Sequence, residues 1–205
     1  MDEKTALRQM DELRKSSRHM RLAAEEWGSD FQTLIAIILS ARTLDETTIK
    51  VCTELFKIYP SAETLSMASV KDVEKMIVLI NFYQNKARYV VECAKKLVEM
   101  YDGNVPPDME KLVELPGVGR KTANVFLSRV GKEGLGVDTH VQYISRKLGW
   151  TSHSKPEKIE EELKNLFSRE NWNNVNETLV RFGKTHTSRI EKDKILEEIS
   201  KIKVN

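Results

Sequence analysis

Apolar positions in this chain recur at three- and four-residue spacing along nearly its whole length, the period of helices packed on one face. Asp30 to Ser40 is the extreme case. Phe31, Leu34, Ile35, Ala36, Ile37, Ile38 and Leu39 leave it no polar face, so it reads as a buried helix capped by Ser29 or Asp30. Asp45 offers a cap for a helix running to about Ile58. Ser61 and Ser69 offer caps for shorter ones, and Ser69-Val70-Lys71-Asp72 resembles a capping box. Gln84 to Met100 carries Ala87, Val90, Val91, Ala94 and Leu97 on one face, and Met109 to Leu115 carries Met109, Leu112, Val113 and Leu115. A further helix begins near Arg120, with Ala123, Val125, Phe126 and Val130 as its buried face. Thr139 to Ile144 follows, with Asp138 as N-cap and Val141 and Ile144 inward. Ser154-Lys155-Pro156 opens another helix to about Phe167, and Asn173 or Asn174 opens one to about Phe182. No alternating pattern competes, so the expected class is all-α.

One junction between helices stands apart. Pro116 cannot continue a helix interior, and Gly117 and Gly119 bracket a single residue, so the chain can reverse tightly through positive φ. The helix after this turn starts at Arg120, and its first-turn N–H groups have no partner inside the helix. With the helix dipole behind them, such amides bind phosphate. A lone Gly-x-Gly serves equally as a plain turn between packed helices. The full string Leu115-Pro116-Gly117-Val118-Gly119-Arg120-Lys121-Thr122-Ala123 is far more specific.

Lys121 places an amine at that helix start. An ordinary lysine titrates near pH 10.4, so making the free amine at pH 7 costs about 4–5 kcal/mol. Desolvation beside Arg120 and the helix N-terminus would lower that cost, as would a nearby base. Asp138 is the candidate base. Capping and catalysis are compatible there, because the dipole keeps a capping carboxylate ionised and oriented toward developing positive charge.

With these residues in view, the run from about Asp30 to Thr187, roughly three quarters of the chain, resembles the endonuclease III family of helix-hairpin-helix (HhH-GPD) DNA glycosylases. The matching pieces are Leu34 to Asp45, Tyr83-Gln84-Asn85-Lys86-Ala87, the hairpin string and Val137-Asp138-Thr139-His140. The resemblance implies a two-lobed helical fold with a central cleft. Residues 25–132 would form a six-helix lobe that includes the helix-hairpin-helix at about 108–130. Residues 1–24 with 133–205 would form the second lobe, with Gly131 to Gly136 as the crossing segment. It implies that Lys121 attacks the sugar C1′ and that Asp138 assists. Gly117, Val118, Gly119, Arg120, Thr139, His140 and Lys86 would contact DNA. Arg42, Asp45, Asn81 and Phe82 would form the wedge and base-recognition set. Phe82 reads about equally well as a wedge and as a core residue of a helix-helix turn, whereas Tyr83 reads as core. Arg42 stands where bacterial relatives usually have glutamine, and a guanidinium fork suits guanine-like acceptors.

The chain departs from the family at iron. A [4Fe–4S] cluster needs thiolate ligands, the family usually supplies four near the C-terminus, and this chain has only Cys52 and Cys93. The expectation is no cofactor and no metal. Ile195, Ile199 and Ile202 would instead pack a terminal helix over that region. The four histidines show no metal-ligand spacing.

Composition restrains the rest. A hydrophobic share of 40% with 31% charge suits a globular domain, and a net charge of +2 leaves any DNA surface to local clusters such as Arg120 with Lys121, Arg146 with Lys147, and Lys184. Two cysteines make no disulfide scaffold, and neither a signal region nor a membrane-length apolar run is present. The expectation is a cytoplasmic monomer acting on double-stranded DNA with damaged bases or abasic sites. Three activities stay open: a bifunctional glycosylase/lyase for oxidised pyrimidines, a uracil or G:T mismatch glycosylase on the same fold, and a non-catalytic DNA-binding module.

Overall fold

A computed structural model of the chain describes residues 1–204, and these contain helices and no strand. α1 (Glu3–Ser16) precedes α2 (Asp30–Ser40), α3 (Asp45–Ile58), α4 (Ala62–Ser66), α5 (Val70–Met76), α6 (Tyr83–Tyr101), α7 (Met109–Val113) and α8 (Arg120–Arg129). α9 (Thr139–Lys147), α10 (Pro156–Leu166), α11 (Trp172–Thr185) and α12 (Arg189–Ser200) follow. Two compact units emerge. One is residues 21–132, and the other joins residues 1–20 to the chain from Glu133 onward. The first boundary falls at residue 21 rather than 25. Arg21 donates to the carbonyl of Glu25 at 2.9 Å and stacks 4.6 Å from the Trp27 ring centre, while Leu22 and Ala23 are buried.

Within residues 21–132, α2 is the axis. Phe31 and every residue from Thr33 to Leu39 are buried, and the helix packs against α3, α6 and α8. Each fully buried Leu or Ile contributes about 1.5–3 kcal/mol, so such a sequence has no stable alternative to the interior. Ser29 caps it by accepting from the Gln32 amide at 3.2 Å. The other end is different: the last turn of α2 has no basic residue to meet its open carbonyls. α8 lies against α2 and buries Ala123, Phe126 and Leu127.

The caps follow the sequence with two adjustments. Asp45 is the first residue of α3 rather than its cap, and Leu44 at the N-cap makes no side-chain bond. The reciprocal capping box is at Ser61 and Thr64, whereas Ser69 accepts from the Asp72 amide at 3.1 Å and donates to its carboxylate at 2.7 Å.

In the other unit the chain ends are tied together. Buried Gln9 on α1 accepts from Trp150 Nε1 at 2.6 Å and donates to the carbonyl of Ile202 at 3.3 Å. Trp150 meets Phe167 edge-on at 5.1 Å between ring centres. α11 carries Val175, Leu179 and Phe182 into this core, and α12 adds Leu196 and Ile199. The buried face of α12 is thus Leu196 with Ile199. Ile195 and Ile202 are only half-buried, because α12 presents the Leu196 side to α1 and α9.

Phe126 is fully buried and anchors α8 in the core. Phe126→Ala is expected to cost about 3–5 kcal/mol in urea unfolding followed by circular dichroism. A cost under about 1 kcal/mol would mean that α8 is not held by this packing.

Candidate functional site

The turn between α7 and α8 closes with the Val118 amide donating to the Leu115 carbonyl at 3.0 Å, while Leu115 and Val118 are buried. Its two glycines have different reasons. Gly117 sits at φ +79°, and a Cβ there would lie 2.9 Å from Tyr89 Cβ and 3.2 Å from Ile38 Cγ2, so conformation and packing both demand glycine. Gly119 has φ −94° and ψ 174°, and a Cβ on it would meet nothing within 4 Å. The expectation that both glycines use positive φ is corrected: only Gly117 does. The fold places no demand for glycine at 119, so the open space above it suits close approach by a partner's backbone. As N-cap of α8, Gly119 has no capping side chain, and the helix N-terminus behind Arg120 and Lys121 faces that space. Arg120 and Lys121 are both exposed.

In the other unit, Asp138 is the N-cap of α9. Its Oδ1 accepts from the amides of His140 and Val141, both at 2.9 Å. Oδ2 has no hydrogen bond among the described residues, so one oxygen is fixed and the other is left for a proton or a cationic centre. The preceding segment is firmly seated. Leu135 and Val137 are buried, and Asn176 on α11 donates to the Gly136 carbonyl at 2.6 Å. His140 lies over Gly183, where a Cβ would come within 2.2 Å of the imidazole Nδ1. Thr139 is exposed and His140 half-buried. Together with Tyr143, Thr187, Arg189 and Lys192 they line an open cavity of about 320 Å³. No acid lines it. Lys147 holds Asp193 at 3.1 Å, and Asp193 accepts from the Tyr143 hydroxyl, which ties α12 to α9. Burial of the Lys192 amine, whose Nζ donates to the Gly183 carbonyl at 3.0 Å, lowers its pKa. Arg189 and Lys192 were not anticipated from sequence, since cations on a charged terminal helix look like ordinary solvated surface.

Arg42 and Phe82 share a conformation unusual outside glycine. Both are left-handed, at φ 58° and 61°, and both are exposed. The Arg42 guanidinium carbon lies 5.6 Å from the Phe82 ring centre. Phe82 is 59% exposed, whereas Tyr83 packs against the core, which resolves the alternatives for this loop in favour of a projecting ring at 82. Leu44, close in sequence to Arg42, is 75% exposed. Asn81 links the two strained residues: its side-chain amide donates to the Arg42 carbonyl, and its backbone amide donates to Thr43 Oγ1 at 3.1 Å. Asp45 is half-buried at the first turn of α3, behind this tip.

Lys86 requires a correction. Expected on DNA, it is only 6% exposed, and its Nζ donates to the Leu39 carbonyl at 2.7 Å, to the Ala41 carbonyl, and to Thr43 Oγ1 at 3.5 Å. It supplies from α6 the cation that the end of α2 lacks. Burial pulls its pKa down to about 8.

Cys52 on α3 and Cys93 on α6 are fully buried, and burial pushes both thiols up to about 12. Neutral thiols on two core helices do not form a ligand set for an iron–sulfur cluster, and no cluster of three His, Cys, Asp or Glu side chains suited to a metal occurs among the described residues. No helix among them is long and apolar enough to cross a membrane.

Two outcomes follow from this geometry. Gly117→Ala is expected to cost about 1–3 kcal/mol in unfolding free energy. Gly119→Ala should leave stability unchanged but weaken binding to duplex DNA by about tenfold or more, as loss of a charge-assisted amide contact implies. Equal destabilisation by the two, measured with urea and by fluorescence anisotropy, would contradict the division of roles. The second outcome concerns pH. Between about pH 8 and the ordinary lysine value, unfolded chains keep a proton on Lys86 that the folded protein has released, so this site makes stability rise with pH across that window. Lys86→Met should remove the rise. A pH profile in which the variant and the parent run parallel would exclude it.

The HhH-GPD superfamily base excision DNA repair protein model matches residues 35–169. Endonuclease III of Thermotoga maritima is 44% identical over 156 residues, covering 75% of this chain and 73% of that protein. Endonuclease III of a Synechocystis species is 38% identical over 161 residues, covering 78% and 74%. A solved structure of a trapped endonuclease III–DNA covalent intermediate superposes with a TM-score of 0.82 at 32% identity, covering 92% of this chain and 89% of that one. By its hairpin string and these likenesses, the chain belongs to the HhH-GPD superfamily of base excision DNA repair proteins, among the relatives of endonuclease III.

Proposed function

We propose that this protein is a bifunctional DNA glycosylase and abasic-site lyase that removes oxidised pyrimidines, with Lys121 as nucleophile and Asp138 as its partner. The observation that carries the reading is the exposed amine of Lys121 in the first turn of α8, two residues after a glycine that leaves room for a DNA backbone. A structural relative captured as a covalent endonuclease III–DNA intermediate supports it.

The chemistry follows from the residues. A base stacked in a duplex shields C1′, so the damaged nucleotide must be extruded. Amides of Gly119 and the first turn of α8 hold a backbone phosphate, which positions the strand without reading sequence. The cation-lined cavity beside Asp138, with Arg189 and Lys192, suits a second phosphate. Phe82 and Arg42 fill the space that the nucleotide leaves. Lys121 then attacks C1′, and the C1′–base bond breaks with its electron pair leaving on the base. The proton lost by the amine passes to the unbonded Oδ2 of Asp138. Ring opening gives a Schiff base, loss of a C2′ proton expels the 3′ phosphate by β-elimination, and water releases the enzyme. None of these steps uses the cysteines, and the protein is proposed to work without an iron–sulfur cluster, as a monomer. Buried free thiols fit a reducing cytoplasm.

Borohydride trapping on duplex DNA containing an abasic site or thymine glycol tests the assignment. A covalent adduct with the parent protein and none with Lys121→Ala is expected. Base release with the strand left uncut and no adduct would replace it by a monofunctional uracil or mismatch glycosylase. Binding without base release would leave only a DNA-binding module. Iron analysis of the purified protein is expected to give well below one iron per chain, and stoichiometric iron would overturn the cluster-free reading.

A further inference from the structure

Lys86 has no access to DNA, yet it sits under the part of the surface most suited to entering a duplex. Its ammonium closes the end of α2, bonding the carbonyls of Leu39 and Ala41 on either side of the helix terminus. The next residue after Ala41 is Arg42, held at φ 58°. Thr43 Oγ1 accepts from both Lys86 Nζ and the Asn81 amide, and Asn81 in turn donates to the Arg42 carbonyl. Asn81 directly precedes Phe82, held at φ 61° at the start of α6, the helix that carries Lys86. One buried cation therefore fixes the stem of one exposed left-handed residue and, through Thr43 and Asn81, that of the other.

Left-handed backbone at arginine and phenylalanine costs of order 1–3 kcal/mol each, and it persists only where surrounding structure over-determines it. Phe82 as N-cap makes no capping bond of its own, and α2 offers no cation to its own terminus. Without the Lys86 ammonium, the carbonyls of Leu39 and Ala41 lose their charged donor. Asn81 holds Arg42 and Phe82 side by side through its bonds to the Arg42 carbonyl and to Thr43, and the Lys86 ammonium anchors the Ala41 and Thr43 end of that link.

We propose that Lys86 is a positioning residue for lesion extrusion: its buried ammonium clamps the end of α2 so that Arg42 and Phe82 stand as a paired wedge that replaces an extruded nucleotide. This rests on the glycosylase reading above. It predicts a selective defect, because a wedge matters only where a nucleotide must be displaced from a continuous duplex and its space filled opposite an orphan base.

The experiment compares the parent protein with Lys86→Met in single-turnover strand cleavage of two substrates. One is an intact duplex with an abasic site. The other has the same abasic site opposite a one-nucleotide gap, where no orphan base remains and extrusion is free. Lys86→Met should lose about tenfold to a hundredfold on the intact duplex, the scale expected for misplaced positioning groups. On the gapped substrate it should keep activity within about twofold, a difference well under 1 kcal/mol. Emission from 2-aminopurine placed opposite the abasic site should rise on binding the parent and rise less on binding the variant. A parallel loss on both substrates, or no loss on either, would overturn the proposal, since a residue that only supports the fold does not distinguish them. If Lys86→Met does not fold, Thr43→Val breaks the same link with the ammonium retained and should show the same substrate-selective loss, smaller in size. Equal rates with Thr43→Val on both substrates would then overturn it. Failure of the parent protein to cut either substrate would instead overturn the lyase reading, and this inference with it.

Discussion

The interior placement of α2 is the constraint on which residues 21–132 depend. A segment apolar on every side cannot stop at a surface, so α3, α6 and α8 close around it. Two features of the candidate site are built directly on this helix. Ile38 forms part of the wall that leaves room only for glycine at 117, and so helps set the hairpin that aims α8. The C-terminal carbonyls of the same helix need a donor after burial, and Lys86 provides it. The hairpin and the exposed tip of Arg42 and Phe82 are thus referred to one buried helix, which fixes each relative to the other.

The unit formed by both chain ends solves a different problem. It fixes one carboxylate oxygen of Asp138 and leaves the other without a bond among the described residues. Two amide donors fix Asp138 Oδ1, and the segment before it is pinned by Asn176 and by the burial of Leu135 and Val137. A carboxylate held this way keeps its aim without a conformational search, the pre-organisation that electrostatic stabilisation requires. α12 completes the unit through Leu196 and Ile199 and through the ion pair of Asp193 with Lys147. Ordinary packing and charge thus tie α12 to α1 and α9 in this region.

Strain is concentrated where function is proposed. Arg42 and Phe82 are two of only four non-glycine residues at positive φ among the described residues, and both belong to the exposed tip. Glu26 and Asp102, the other two, sit at a bend and at the C-cap of α6; Arg42 likewise follows the C-cap of α2, where left-handed residues are common, so it is Phe82 at the start of α6 that is the less usual of the pair. A tip of two strained, exposed side chains over a buried ionic clamp is a costly arrangement for a surface with no partner.

Local chemistry in the sequence was enough to specify the helices from α2 onward in outline, most of their serine and aspartate caps, and the proline and glycine that break α7 from α8, while the pairing of Lys121 with Asp138 came from the resemblance to a family. The helices, caps and turn are decided within a few residues by periodicity, capping or φ preference. Tertiary structure decided whatever depends on what lies across from a residue. A lysine beside helix turns reads as a DNA contact until α2 is found ending on top of it, and Gly117 and Gly119 look alike until Tyr89 and Ile38 crowd one and leave the other open. Phe82 was equally suited to core or surface because hydrophobicity carries no direction; only the left-handed start of α6 turned it outward. Helix formation is local, whereas burial and the pairing of charges are set by segments dozens of residues apart, and the sequence pattern of either segment alone does not contain them.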